Sequence, residues 1–144
     1  MNTPPTNELP KDAWPLGLAG LLPFLAGVAA LWLGLGWAGF ALAAYGAVIL
    51  AFLGAVHWGL ALAQPGVASR ARLVGGVLPS LVAWVALLAP LPVGLTMLAL
   101  GLVVFAVVET IAMRRGLLPG QYLRLRWVLT IVASMSLFGG AALS

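Results

Sequence analysis

Two ionisable side chains interrupt the long apolar segments of this chain, and they are the residues best suited to chemistry. His57, in the segment GAVHWG, is the only histidine, and Glu109 is the only acidic residue inside an apolar segment. An imidazole can relay protons, ligate a haem iron or hydrogen-bond to a quinone. A carboxylate at a comparable depth can exchange protons with that imidazole. The two residues therefore define the first candidate site.

Both residues also have a purely structural interpretation. Polar groups at membrane depth are costly, so they usually face the interior of a helix bundle and bond to neighbours there. His57 would then lock helices together, and Glu109 would form an ion pair with an arginine that follows it. The arginines that follow Glu109 are Arg114, Arg115, Arg124 and Arg126. The sequence alone leaves both interpretations open.

Further polar residues fall at a similar depth and extend the candidate site. We expect a polar, ligand-binding cluster on the cytoplasmic half of the protein, made of His57, Trp58, Glu109, Tyr122, Arg124 and Arg126. A metal site is not expected, since metals need several ligands and the chain has one histidine and no cysteine. No carboxylate pair, phosphate loop or Ser/His/Asp set accompanies the cluster, so we do not expect an enzyme.

The composition indicates which solvent surrounds these residues. Hydrophobic residues make up 63% of the chain and charged residues 7%, whereas a soluble domain carries roughly a quarter charged residues. A small domain leaves much of its surface exposed, so lipid must solvate most of this one. The net charge of +4 is spread thinly. It does not provide the dense basic surface that a nucleic acid requires, and no nucleic acid partner is expected.

Charges, prolines and glycines divide the apolar sequence into five predicted transmembrane helices. The uncharged stretch from Ala13 to Ser69 is about twice as long as one span requires. A second uncharged stretch, from Leu73 to Val108, is broken by Pro90 and Pro92. The predicted helices lie at about 14–35, 40–63, 73–89, 93–113 and 125–143, after a disordered polar tail over residues 1–13. The predicted fold is therefore an all-α, polytopic membrane protein with a single five-helix domain.

The second predicted helix carries a small residue at every fourth position. These residues are Ala43, Ala47, Ala51, Ala55, Gly59 and Ala63. Small residues at this spacing allow a neighbouring backbone to approach closely, and close contact drives helix association in lipid. We therefore predict that this helix lies at the centre of the bundle.

Three segments of the chain resemble a known family. They are GAVILAFLGAVHWGLALA at Gly46–Ala63, VLPSLVAWVALL at Val77–Leu88 and GLLPGQYLRLRWVLT at Gly116–Thr130. Here the chain resembles the transmembrane protein 69-like family called domain of unknown function 3429, and the resemblance covers nearly the whole chain from Trp14 onward. It implies a small multi-pass protein of the bacterial or mitochondrial inner membrane, with no established activity. The resemblance gives more weight to a functional role for the residues within these segments, which are His57, Trp58, Tyr122, Arg124 and Arg126.

Three functions are compatible with these features. The first is a non-enzymatic accessory or assembly subunit beside a larger membrane complex, or a homo-oligomer, because the surface is nearly all apolar and the loops are short. The second is a binding module for a lipid-like, quinone or tetrapyrrole ligand near His57. The third is a small transporter or proton pathway that uses His57 and Glu109. No resident cofactor is expected. The expected partners are the lipid bilayer and the anionic lipid headgroups that arginines attract.

The positive charges predict the orientation of the five helices. All seven lysines and arginines fall on one side of a five-span arrangement. Loops rich in these residues stay in the cytoplasm, so we predict a cytoplasmic N-terminus and an outside C-terminus in the bacterial inner membrane.

A reporter fused after Ser144 tests this orientation. We expect alkaline phosphatase at that position to be active, because the enzyme folds only outside the cytoplasm, and green fluorescent protein there to remain dark. The same two reporters fused before Met1 serve as the control and should give the opposite result. A fluorescent C-terminal fusion would contradict the predicted orientation.

Overall fold

A computed structural model describes residues 9–63, 66, 69–114 and 120–144 of the protein. Within these residues the regular structure is entirely helical. The helices are α1 (Ala13–Ala19), α2 (Leu22–Trp32), α3 (Ala38–Ala63), α4 (Ser69–Leu88), α5 (Leu91–Arg114) and α6 (Gly120–Leu143). They form five spans that are long and apolar enough to cross a membrane, with α1 and α2 together making the first. The protein is thus a polytopic, all-α membrane protein.

Some sequence predictions fall on residues outside the described part of the chain. These are the disordered tail over residues 1–8 and the loop that contains Arg115. Residues 9–12 of the predicted tail are described, and Ala13 N–H donates to the Pro10 carbonyl over 2.9 Å.

The first span differs from the continuous helix expected over 14–35, because it is interrupted at Gly20 and Leu21. Pro23 then lies in the first turn of α2. A proline there costs little, since the N–H groups of a first helical turn have no partner in the helix anyway. The Tyr45 hydroxyl of α3 donates to the Gly20 carbonyl over 2.8 Å. The interruption is thereby tied to the neighbouring span.

The same span ends three residues before the predicted boundary, at a glycine that reverses the chain. Gly34 has a φ of 75°, a left-handed conformation that glycine adopts without a steric penalty. Gly34 N–H donates to the Leu31 carbonyl over 2.9 Å, and Leu35 N–H donates to the Ala30 carbonyl over 3.0 Å. This pair of bonds is a Schellman motif, which satisfies carbonyls at the end of α2.

Two later helices begin well before their predicted starts. The predictions over 73–89 and 125–143 placed Arg72 and Arg124 in loops, whereas α4 begins at Ser69 and α6 at Gly120. Long arginine side chains can leave the apolar layer while their backbone stays helical. Arg72 and Arg124 therefore lie near the N-terminal ends of α4 and α6 and not in loops.

The five spans form a closed ring in which α3 also reaches across to the far side. Neighbouring spans pack in the order α2, α3, α4, α5, α6 and back to α2, and α3 contacts α5 and α6 as well. The core between them contains Phe24, Leu42, Leu50, Leu98 and Leu137. The central position predicted for this helix agrees with the packing.

The small-residue face that motivated that prediction, however, is buried only at its start. Ala43 and Ala47 are buried, whereas Ala55 and Gly59 are exposed. The buried face of α3 instead follows Gly39, Ala43, Gly46, Leu50 and Gly54. These positions keep the 3.6-residue period of an α-helix, whereas a strict four-residue spacing drifts around it. Leu50, a large residue, is buried on this face as well. The positions of the small residues alone therefore did not identify the buried face.

The helices α3 and α4 cross in close contact at Gly54 and Gly76. A Cβ atom added to Gly76 would lie 2.7 Å from the Gly54 carbonyl oxygen and would overlap the Trp58 ring. A Cβ atom added to Gly54 would in turn overlap the Gly76 carbonyl oxygen. The two backbones therefore meet without room for a side chain. The Trp58 indole N–H donates to the Leu73 carbonyl over 3.0 Å and ties the same two helices.

Alanine substitutions at the adjacent residues Gly75 and Gly76 test this crossing. Alanine favours a helix over glycine by up to about 1 kcal/mol at either position. A Cβ atom at Gly75 meets nothing within 4 Å, so Gly75→Ala should leave thermal stability in detergent unchanged or higher. Gly76→Ala should lower it by about 1–3 kcal/mol, as overpacking does. Equal stability of the two variants would contradict the close crossing.

Candidate functional site

The carboxylate of Glu109 lies at the centre of a polar cluster inside the bundle. Glu109 is on α5 and its exposed fraction is 0%. One oxygen, Oε1, accepts from His57 Nε2 over 3.2 Å and from the Tyr122 hydroxyl over 3.3 Å. The other, Oε2, accepts from Arg126 Nε over 2.6 Å. Side chains from α3, α5 and α6 thus meet on one buried carboxylate.

The helical period of α6 positions the basic side of this cluster. Tyr122, Arg126 and Thr130 are four residues apart and therefore lie on one face of the helix. Arg126 is buried, and its Nη1 donates to Thr130 Oγ1 over 2.6 Å. The guanidinium is consequently held between a carboxylate on another helix and a hydroxyl on its own. This geometry explains how a charged side chain is accommodated away from water.

His57 is oriented by the same carboxylate. An ionised carboxylate has no hydrogen to donate, so the bond to Glu109 requires a hydrogen on Nε2 of His57. The ring also lies edge-on to Phe105, with 5.1 Å between the ring centroids. Because Nε2 already bonds to Glu109, it does not offer a free lone pair to a haem iron. The residues described contain no group of three or more metal-ligating side chains.

Two predicted members of the site lie apart from it. Trp58 bonds to α4 and is partly exposed. Arg124 is exposed and makes no ion pair with any described residue. It lies two residues before Arg126, which turns it roughly 200° around the helix. The structure therefore brings together His57, Glu109, Tyr122 and Arg126, but neither Trp58 nor Arg124.

Sequence reasoning missed one member of the cluster and one nearby contact. Thr130 was not considered, although its spacing of four from Arg126 gave a signal for it. Thr110 accepts from the Trp127 indole over 3.0 Å and links α5 to α6 beside the cluster. Both threonines looked like ordinary residues of apolar helices, because a hydroxyl that bonds locally is tolerated in lipid.

A cavity of about 480 Å³ adjoins the cluster. Its lining comes from the α1–α2 segment, α3, α5 and α6. Most of the lining is apolar, and the polar side chains in it are Tyr122, Arg126 and Thr130. His57 and Glu109 are not part of the lining. Two lining residues, Leu16 and Phe52, are mostly exposed on the outer surface, so the cavity opens sideways, toward the position of the lipid.

The guanidinium of Arg126 has hydrogen-bonding capacity left over. Its Nη2 atom is buried and has no hydrogen-bond partner among residues 9–63, 66, 69–114 and 120–144. An unsatisfied buried donor is costly. Nη1 of Arg72, near the start of α4, is in the same situation within that part of the chain. Of the two, only Arg126 lines the cavity.

Comparison with known proteins places the chain in a family. The family model described as "Protein of unknown function (DUF3429)" matches residues 9–142. The chain belongs to the DUF3429 family. The match covers the described helices except for Leu143 at the end of α6, and it includes every residue of the polar cluster. It agrees with the family resemblance seen in the sequence.

A curated relative supports the same assignment of this DUF3429 protein. Transmembrane protein 69 of Xenopus tropicalis is 37% identical to it over 142 residues. That alignment covers 92% of the chain and 54% of the relative. The chain therefore spans about half the length of the curated relative it matches. No solved structure matches the chain.

Removing the carboxylate should destabilise the bundle. Glu109→Gln leaves Arg126 as a buried and uncompensated charge, which costs about 3–5 kcal/mol. Arg126→Met leaves the carboxylate uncompensated in the same way. In the double variant neither charge is present, so the loss should be smaller than the sum of the two single losses, with a coupling energy of about 0.5–3 kcal/mol.

Unfolding in mixed detergent provides the measurement for all three variants. Arg124→Met on the exposed face of α6 is the matched control and should change the free energy of unfolding by no more than about 0.5 kcal/mol. Strictly additive losses for Glu109→Gln and Arg126→Met would show that the two side chains do not interact.

Proposed function

We propose that this protein binds an amphipathic, lipid-like small molecule in the cavity beside Arg126 and does not itself catalyse a reaction. The observation that carries the proposal is an apolar cavity lined by an arginine whose Nη2 atom has no partner among the described residues. Ligand sites are commonly mostly apolar clefts of this size with a few placed polar groups. The position of the site differs from the expected one, since it is centred on Arg126 rather than His57.

The shape of the cavity supports a ligand that arrives from the bilayer. Its outer rim includes Leu16 and Phe52, while Phe24 and Thr130 at its inner end are almost fully buried. A molecule with an apolar tail can occupy the rim, and a polar head can reach the buried end. An apolar lining would hold such a tail through van der Waals packing, since a tail that arrives from lipid gains nothing from leaving water.

The cluster behind the cavity supplies the rigidity that a binding site requires. Arg126 is fixed by Glu109 and Thr130, and Glu109 is fixed in turn by His57 and Tyr122. A side chain held from two sides loses little further freedom when a ligand binds. In this proposal His57 and Glu109 position Arg126, and neither contacts the ligand.

The other functions predicted from the sequence stay predictions. An accessory or assembly role beside a larger membrane complex needs a partner surface, and the exposed side chains of the spans are the apolar ones that lipid also covers. A proton pathway through His57 needs a chain of exchangeable groups beyond Glu109.

For the membrane itself, we propose the bacterial inner membrane. Anionic headgroups there would contact the exposed side chains of Arg70, Arg114 and Arg124.

A residue that fills the cavity should abolish binding. Val56 lines the cavity on α3, and Val48 lies two turns earlier on the same helix with an exposed side chain. Val56→Phe adds a ring where the ligand would lie, whereas Val48→Phe adds the same ring on the lipid-facing surface. Protein purified from its native membrane should carry an amphiphile detectable by mass spectrometry after extraction.

We expect the amount per protein in Val56→Phe to fall at least several-fold, and that in Val48→Phe to equal the unmodified protein. Thermal unfolding of the three proteins checks that each is folded. Equal amounts of amphiphile in Val56→Phe and in the unmodified protein would contradict binding in this cavity.

A further inference from the structure

We infer that the head of the bound molecule is a neutral carbonyl acceptor of the quinone class, not a carboxylate or a phosphate. This inference rests on the proposed binding function and specifies its ligand. It concerns recognition alone, and it follows from the hydrogen-bond donors, the charge and the lining of the cavity.

The polar end of the cavity has spare donors. A guanidinium carries five N–H donors and no acceptor. In Arg126, Nε donates to Glu109 and Nη1 to Thr130, while Nη2 has no partner among the described residues. The Tyr122 hydroxyl already donates to Glu109. An occupant that contacts Arg126 must therefore bring an acceptor oxygen.

The charges at the site are already balanced. Glu109 and Arg126 form a buried pair with no net charge. His57 donates to Glu109 from Nε2, and a neutral ring is sufficient for that bond. The other charged side chain of the first turns of α6, Arg124, is exposed and turned away. An anionic head would thus add an uncompensated negative charge in a medium of low dielectric, which is strongly disfavoured.

A neutral carbonyl satisfies both conditions. Its oxygen accepts from an N–H group of Arg126 that the bonds to Glu109 and Thr130 leave over, and it adds no charge. The lining also includes the aromatic residues Phe24 and Tyr122, and aromatic side chains pack well against a flat ring. A planar head with carbonyl oxygens and one apolar chain, which describes a quinone, therefore fits the donors, the charge and the walls together.

Binding of three probes with similar tails tests the inference. The probes are decylubiquinone with neutral carbonyls, decanoate with a charged head, and decylbenzene with no acceptor. The full-length protein in detergent is equilibrated with each probe at about pH 8, well above the ordinary carboxyl pKa. Bound probe is quantified by mass spectrometry after gel filtration. Val56→Phe gives the background from partitioning into micelles.

We expect decylubiquinone to bind at least tenfold more tightly than decanoate or decylbenzene. Arg126→Lys keeps the charge opposite Glu109 but loses the planar fork, so it should weaken quinone binding by about tenfold, or ~1.4 kcal/mol. Infrared difference spectra of carbonyl-labelled quinone provide a second readout that needs no variant. The carbonyl band should move to lower frequency on binding, as hydrogen bonding to Arg126 requires, and the band of quinone mixed with Val56→Phe should not move.

The outcomes separate the inference from the proposed function. Preferred and Val56-dependent binding of decanoate would overturn the inference and leave the binding function standing. Equal binding of decylbenzene and decylubiquinone, or an unshifted carbonyl band, would overturn recognition of the head. If no probe binds more to the unmodified protein than to Val56→Phe, the proposed binding function itself fails.

Discussion

The burial of one carboxylate between three helices is the constraint on which the rest of this structure depends. Glu109 is fully buried, and its carboxylate is compensated by hydrogen bonds from His57, Tyr122 and Arg126. His57 belongs to α3, Tyr122 and Arg126 belong to α6, and Glu109 itself belongs to α5. The relative rotation of α3, α5 and α6 is therefore fixed by hydrogen-bond geometry. Apolar packing in lipid does not select such a rotation strongly, because lipid tails and leucine side chains are similarly apolar.

The glycine contact between α3 and α4 is a second constraint on helix packing, and it is of a different kind from the polar cluster. At Gly54 and Gly76 the two helices meet through backbone atoms, and Trp58 bonds across the same contact. Close backbone contact sets a distance between helices, whereas the Glu109 cluster sets an angle around their axes. α3 takes part in both, which is consistent with its place across the ring of spans. The cavity lies on the other side of α3, where α1 and α2 pack less closely.

Much of the fold followed from physical rules that act on composition. The five spans were predictable because uncharged stretches of sufficient length have few alternatives in lipid, and the break before α5 followed from Pro90 and Pro92. The interruption at Gly20 was not predicted, since a proline at the first turn of a new helix looks the same in sequence as one that kinks a continuous helix.

For the site, the rarity of His57 and Glu109 was sufficient to identify them. Which arginine pairs with Glu109 could not be predicted, because it depends on which face of α6 points inward. The apolar residues of α6 are spread around the helix and do not mark that face. The cavity depends on three-dimensional packing and had no sequence signal.

The sideways opening of the cavity has a consequence for how occupancy is controlled. A ligand that enters between Leu16 and Phe52 never leaves the hydrocarbon phase, so the relevant concentration is its mole fraction among the surrounding lipids. The free energy of transfer from water then cancels from the binding equilibrium. A rare membrane component could be retained only through the contrast between the protein interior and the acyl chains, and that contrast is largest at a hydrogen-bonding head. Under such conditions a single arginine would decide selectivity, while the many apolar side chains around it would decide little.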